Sequence, residues 1–148
     1  MAGDRATDLG LLLLRIGLGL LFLIDSVRKF ALAAEVHKAI AGSGLLPAPL
    51  AALYAAGIWW WELIFGICLL AGAATRATAG AACLALISYT IYIGAEGHYP
   101  FFGVTPSGLL DRNVALIFAA LALVVAGPGA YSLDRLIFRR GRPRTDRA

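Results

Sequence analysis

Charge is scarce in this sequence: thirteen basic and nine acidic side chains among 148 residues, 15% of the chain. A soluble domain of this length carries about 25%. With 60% hydrophobic residues and a mean hydropathy of +0.80, the deficit excludes a disordered chain and argues against an ordinary soluble enzyme. Cysteine is nearly missing. Cys68 and Cys83 both sit inside apolar runs and form no C-x-x-C, so there is no disulfide framework. They read as small buried hydrophobes, with a redox pair across two helices as the alternative. No Gly-rich phosphate loop, Ser/His/Asp order or zinc spacing occurs. His37 and His98 have no cysteine or carboxylate pair at ligand spacing, so no metal site is expected. Internal repeats and low-complexity segments are absent too.

The net charge of +4 is not spread along the chain. Six basic residues follow position 134: Arg135, Arg139, Arg140, Arg142, Arg144 and Arg147. That is a juxtamembrane tail, which signals topology and lipid headgroups, and no nucleic-acid partner is expected.

What the chain does have is long apolar runs. Crossing a hydrocarbon core of about 30 Å takes about 20 helical residues. The runs and their breakers predict spans over 9–30, 50–73, 78–95 and 109–126, a short amphipathic helix over 31–41, and a basic tail over 134–148. The expected fold is all-α: a single-domain polytopic membrane protein built as a four-transmembrane-helix bundle. A cleavable signal peptide is the competing reading of the first run. Asp4 and Asp8 in its flank, Arg15 in its core and no small-x-small site after it oppose that reading. Lysine and arginine beside the spans number eight on the side of the termini (Arg5, Arg76 and the tail arginines) and four on the other (Arg28, Lys29, Lys38, Arg112). Both termini are therefore expected in the cytoplasm.

Two ionisable side chains stand inside spans, Arg15 and Glu62. A charge at helix centre costs about 2.5–3.5 kcal/mol on insertion scales, which implies a partner. At 1.5 Å per residue Arg15 lies about 9–10 Å, and Glu62 about 16–17 Å, from the same end of the bundle. The expectation is an Arg15–Glu62 ion pair. It serves either to fix helix register or as a polar site for a headgroup, a quinone oxygen or a proton. Gly19 and Gly66, each four residues after a charge, suit close helix approach. Trp59 shares the Glu62 face and could wall a ligand pocket with Tyr89 and Tyr92, packing and lipid contact being its plainer role. Tyr89 and Tyr92 lie towards the outer end of the third span. With His98, Tyr99, Phe101 and Phe102 they form a rim. It reads as an interfacial aromatic belt, a ligand entrance or a docking surface for a partner.

Six motifs stand out together: Leu14-Arg15-Ile16-Gly17-Leu18-Gly19, Lys29-Phe30, Glu62-Leu63-Ile64-Phe65-Gly66, Gly72-Ala73-Ala74-Thr75-Arg76, Arg112-Asn113 and Gly127-Pro128-Gly129-Ala130-Tyr131-Ser132-Leu133-Asp134. On these, across residues 11–136, the chain resembles the DoxX family of small four-helix membrane proteins. The resemblance implies kinship with the small subunit of thiosulfate:quinone oxidoreductase and with MauE-like proteins of methylamine utilisation. If the quinone link carries over, the matching residues are Arg15, Glu62 and Asn113. The chain departs from the thiol-linked pattern by lacking a paired-cysteine motif, and its Trp59-Trp60-Trp61 run is foreign to the family.

The leading expectation is an accessory or anchor subunit of a larger redox assembly in the bacterial cytoplasmic membrane; its cofactor is left open, with a bound quinone as the candidate. Its partners would be lipids and other subunits, or further copies of itself. The alternatives are a self-contained quinone-linked oxidoreductase acting on a small sulfur compound, and a small transporter or assembly chaperone.

Overall fold

The computed structural model describes residues 2–95 and 109–140, with side chains from 5–91 and 112–137. The described chain is helical throughout: α1 (Ala2–Ala31), α2 (Ala33–Gly42), α3 (Ala48–Ala71), α4 (Thr75–Ala95), α5 (Leu109–Ala126) and α6 (Leu133–Arg140).

The breaks follow from residue chemistry. Pro47 caps α3 and Pro49 sits in its first turn, where a missing N–H costs nothing. At the other end Gly72 turns left-handed, with φ 68°. This lets Ala73 N donate to Cys68 O at 2.9 Å, the closing bond of a Schellman-type turn. α5 also stops at a left-handed glycine, Gly127 with φ 83°, which closes the helix by donating its own N–H to Leu123 O at 2.9 Å, since Pro128 has no N–H to give.

Helices α1 and α3 run antiparallel at close range. A Cβ on Gly66 would stand 2.9 Å from the carbonyl oxygen of Gly19, and one on Gly19 would stand 3.0 Å from that of Gly66. One hydrogen bond repeats this register: Ser26 Oγ donates to Trp59 O at 2.8 Å. Helices α4 and α5 meet across small residues, Ala79, Ala82 and Cys83 against Ala120 and Leu123, and Leu18, Phe22 and Leu69 complete the core. Helix α2 lays Ile40 on Ala51, Ala55 and Ile58 of α3.

Burial is inverted relative to a water-soluble protein. Arg15 and Glu62 are among the largest fully buried side chains, while Trp61, Leu84, Phe118 and Val125 are 60–79% exposed. Polar groups inside and apolar ones outside suit a lipid solvent. Two stretches are long and apolar enough to cross a membrane, Arg5–Ala31 and Ala48–Ala71, with mean hydropathies of 2.0 and 1.6; Arg112–Ala126 is a shorter apolar helix.

The expected basic tail begins as helix α6. Ser132 caps it, its Oγ accepting from Arg135 N at 3.2 Å. Leu133, Leu136 and Ile137 follow at helical spacing, and all three are exposed.

Candidate functional site

The expected Arg15–Glu62 pair does not form. The register set by Gly19 and Gly66 puts Arg15 opposite residue 70 and Glu62 opposite residue 23, a gap of eight residues or about 12 Å. Direction widens the gap further. Helical side chains lean towards their own N-terminus, so in antiparallel helices these two lean apart.

Arg15 leans towards the end of the bundle where the chain begins. One of its terminal nitrogens donates to Pro128 O at 2.9 Å and the other to Tyr131 O. The guanidinium lies on Gly72, where a Cβ would approach its Cζ to 2.9 Å. Asp8 adds a second tie, accepting from Ala130 N at 2.7 Å. Asp134 adds a third, accepting from Ala74 N at 2.6 Å and Thr75 N at 2.8 Å. Arg15 thus holds the turn between α5 and α6 in place.

Glu62 leans the other way, and Lys29 of α1 leans towards it. Lys29 Nζ pairs with Glu62 Oε1. Tyr89 of α4 donates its hydroxyl to the same oxygen at 2.9 Å, and the Lys29 ammonium sits 4.2 Å from the Tyr89 ring centre. Nearby, Arg112 of α5 meets Asp25 of α1 at 3.2 Å, and Tyr54 of α3 shares a hydrogen bond with Ser88 at 3.0 Å.

These groups border a cavity of about 380 Å³, within the range of about 300–1,000 Å³ common for small-molecule sites. Its apolar wall is Phe22, Ile58 and Leu86, and Val36, Ala39 and Ile40 of α2 close it on one flank. Its polar wall is Asp25, Arg28, Lys29, Tyr54, Glu62, Tyr89, Arg112 and Asn113. Two buried atoms there have no partner, Glu62 Oε2 and Arg112 Nε.

Of the residues singled out from sequence, Glu62, Tyr89 and the buried Asn113 line this cavity. Arg15 belongs to the opposite end. Trp59 is not among the lining residues; it stacks on Trp60 at 4.0 Å and packs on Phe30 at 4.9 Å. The Tyr92 side chain, His98, Tyr99, Phe101 and Phe102 lie outside the described residues. Sequence reasoning missed Lys29, Asp25, Tyr54 and Arg112. The signal for Lys29 was the glycine pair, since the register it sets carries Lys29 over Glu62 once both side chains lean inward. Among the described residues no three His, Cys, Asp or Glu side chains gather as metal ligands, and Cys68 and Cys83 are free thiols.

The family model described as methylamine utilisation protein MauE matches residues 7–99. A search of curated proteins and a search of solved structures each found no match.

Proposed function

The chain belongs to the MauE family, a family of membrane proteins, and on that premise we propose that it is an accessory subunit of a membrane redox assembly that binds a quinone headgroup in the Glu62 cavity. The observation that carries this reading is Glu62 itself: a carboxylate 2% exposed, with one oxygen unpaired, on the polar wall of a cavity whose other wall is apolar. A buried ionisable group at membrane depth is expensive to keep. Were stability all that counted, Lys29, Glu62 and Tyr89 could be exchanged for packed apolar side chains at little or no cost.

The family's description names methylamine utilisation, and the accessory role attaches to a pathway of that kind. The kinship with DoxX proteins and the quinone link belong to the same proposal. So does the topology: α1, α3, α4 and α5 cross the bacterial cytoplasmic membrane, and both termini lie in the cytoplasm. The Glu62 cavity then opens towards the other face, where α2 lies. The rim of His98, Tyr99, Phe101 and Phe102 is proposed on that face as the surface that docks a partner subunit, and Tyr92 as part of the ligand-pocket wall.

The test is purification from the source membrane in mild detergent, with mass spectrometry of proteins and of extracted quinones. Stoichiometric partner subunits together with quinone are expected. A homo-oligomer carrying quinone moves the reading to a self-contained quinone-linked oxidoreductase. A particle with neither overturns it.

A further inference from the structure

Two residues that line the cavity each carry a buried polar atom without a partner, and the two atoms are of opposite character. Glu62 Oε2 is buried and receives no hydrogen bond, because both nearby donors, the Lys29 ammonium and the Tyr89 hydroxyl, go to Oε1. Arg112 Nε is buried and donates to nothing, because the contact with Asp25 uses a terminal nitrogen. A carboxylate oxygen can only accept and a guanidinium N–H can only donate. Each buried group left unpaired carries a desolvation cost. A ligand that relieves both must therefore offer a donor and an acceptor at its head.

Building on the quinone reading above, we infer that the cavity selects the reduced, hydroxyl-bearing hydroquinone over the oxidised quinone. A hydroquinone hydroxyl donates a hydrogen bond to Glu62 Oε2 and accepts one from Arg112 Nε. A quinone carbonyl has no proton to give. It satisfies Arg112 alone and sets a second acceptor against a carboxylate. A cationic head such as an alkylammonium has the converse fault. It would donate to Glu62, leave Arg112 Nε unpaired, and add a positive charge to a lining in which Arg28, Lys29 and Arg112 already outnumber Asp25 and Glu62. The Phe22, Ile58 and Leu86 wall takes the apolar part of the ring and its substituent.

The experiment titrates the full chain in detergent with a decyl-substituted benzoquinone and, under anaerobic reducing conditions, with its hydroquinone. The hydroquinone is expected to bind at least tenfold more tightly. Glu62→Gln, which puts amide N–H donors where the chain now only accepts, should bring the two affinities within about threefold of each other. Equal binding of the two forms to the unaltered chain overturns the inference and leaves the quinone reading standing. Binding of neither form overturns both. A tenfold preference that survives in Glu62→Gln removes Glu62 as its source. The comparison on the unaltered chain decides the matter by itself should the variant fail to fold.

Discussion

Lys29 holds its ammonium 4.2 Å from the centre of the Tyr89 ring, and both side chains reach the same oxygen of Glu62. One carboxylate oxygen thus joins α1, α3 and α4, with a cation–π contact closing the third side of the triangle. Lys29 is 25% exposed and Glu62 2%, so the carboxylate is the member that depends on its partner.

Removing that partner should be costly. Lys29→Met leaves a buried carboxylate without its cation and is expected to destabilise the protein by about 3 kcal/mol, the lower end of what a broken buried pair costs. Lys29→Met combined with Glu62→Gln should recover most of the loss. Unfolding in detergent measures both, and strictly additive losses would sink the pairing.

Close approach of α1 and α3 makes a second prediction. Gly66→Ala places a Cβ 2.6 Å from Leu23 Cγ and 2.9 Å from the Gly19 carbonyl, so the helices must part, at about 1–3 kcal/mol. Gly17→Ala meets nothing within 4 Å and should not destabilise the protein, an unhindered alanine in a helix being favoured over glycine by about 0.5–1 kcal/mol. The two melting curves, compared side by side, test whether the contact at Gly66 matters.

Arg15→Lys keeps the charge and loses the fork that spans two carbonyls. The loss of one charged hydrogen bond is worth about 1.5–3 kcal/mol. Hydrogen exchange should accelerate over residues 127–134 and not in α3. Unchanged protection there would mean that Arg15 does not hold the turn.

Asp134 caps α4 through Ala74 N and Thr75 N, so Asp134→Ala should cost about 1–2 kcal/mol. Ala74 has φ 47°, a conformation that costs a residue with a Cβ about 1–2 kcal/mol. Ala74→Gly should therefore raise stability by about 1 kcal/mol. Thermal unfolding of the two variants should shift in opposite directions.

The proposed topology puts the exposed Glu35 and Arg76 on opposite faces of the membrane. Glu35→Cys and Arg76→Cys should react with an impermeant thiol reagent from opposite sides of sealed vesicles. Labelling of both from one side contradicts that arrangement.

Helix positions were legible because their punctuation is local: Pro47 and Pro49 at a start, Gly72 and Gly127 at stops. Helix α6 was not read from the sequence: its signal is Ser132 followed by Leu133, Leu136 and Ile137, and the arginines around it read as a plain tail. Burial of Arg15 and Glu62 followed from their place in apolar runs. Their partners did not, because a pairing depends on inter-helix register and on which way each side chain leans. Depth along the membrane gave about 7 Å between the two α-carbons. The antiparallel lean sends one side chain to Pro128 and Tyr131 and the other to Lys29. Arg112 and Asp25, 87 positions apart, show no local sign of meeting.

The Arg15 anchor also bears on how the chain is made. Its carbonyl partners lie 113 and 116 positions downstream. At about 5–20 residues per second of synthesis, the first helix waits roughly 6–23 seconds before they leave the ribosome. Through that interval the guanidinium has neither carbonyl to bind. Its lean towards its own helix start keeps it near the headgroups, where water and lipid phosphate can hold it. In the proposed topology the arginine is spared the hydrocarbon while the bundle is incomplete, and it gains its two carbonyls only once the turn between α5 and α6 has been made.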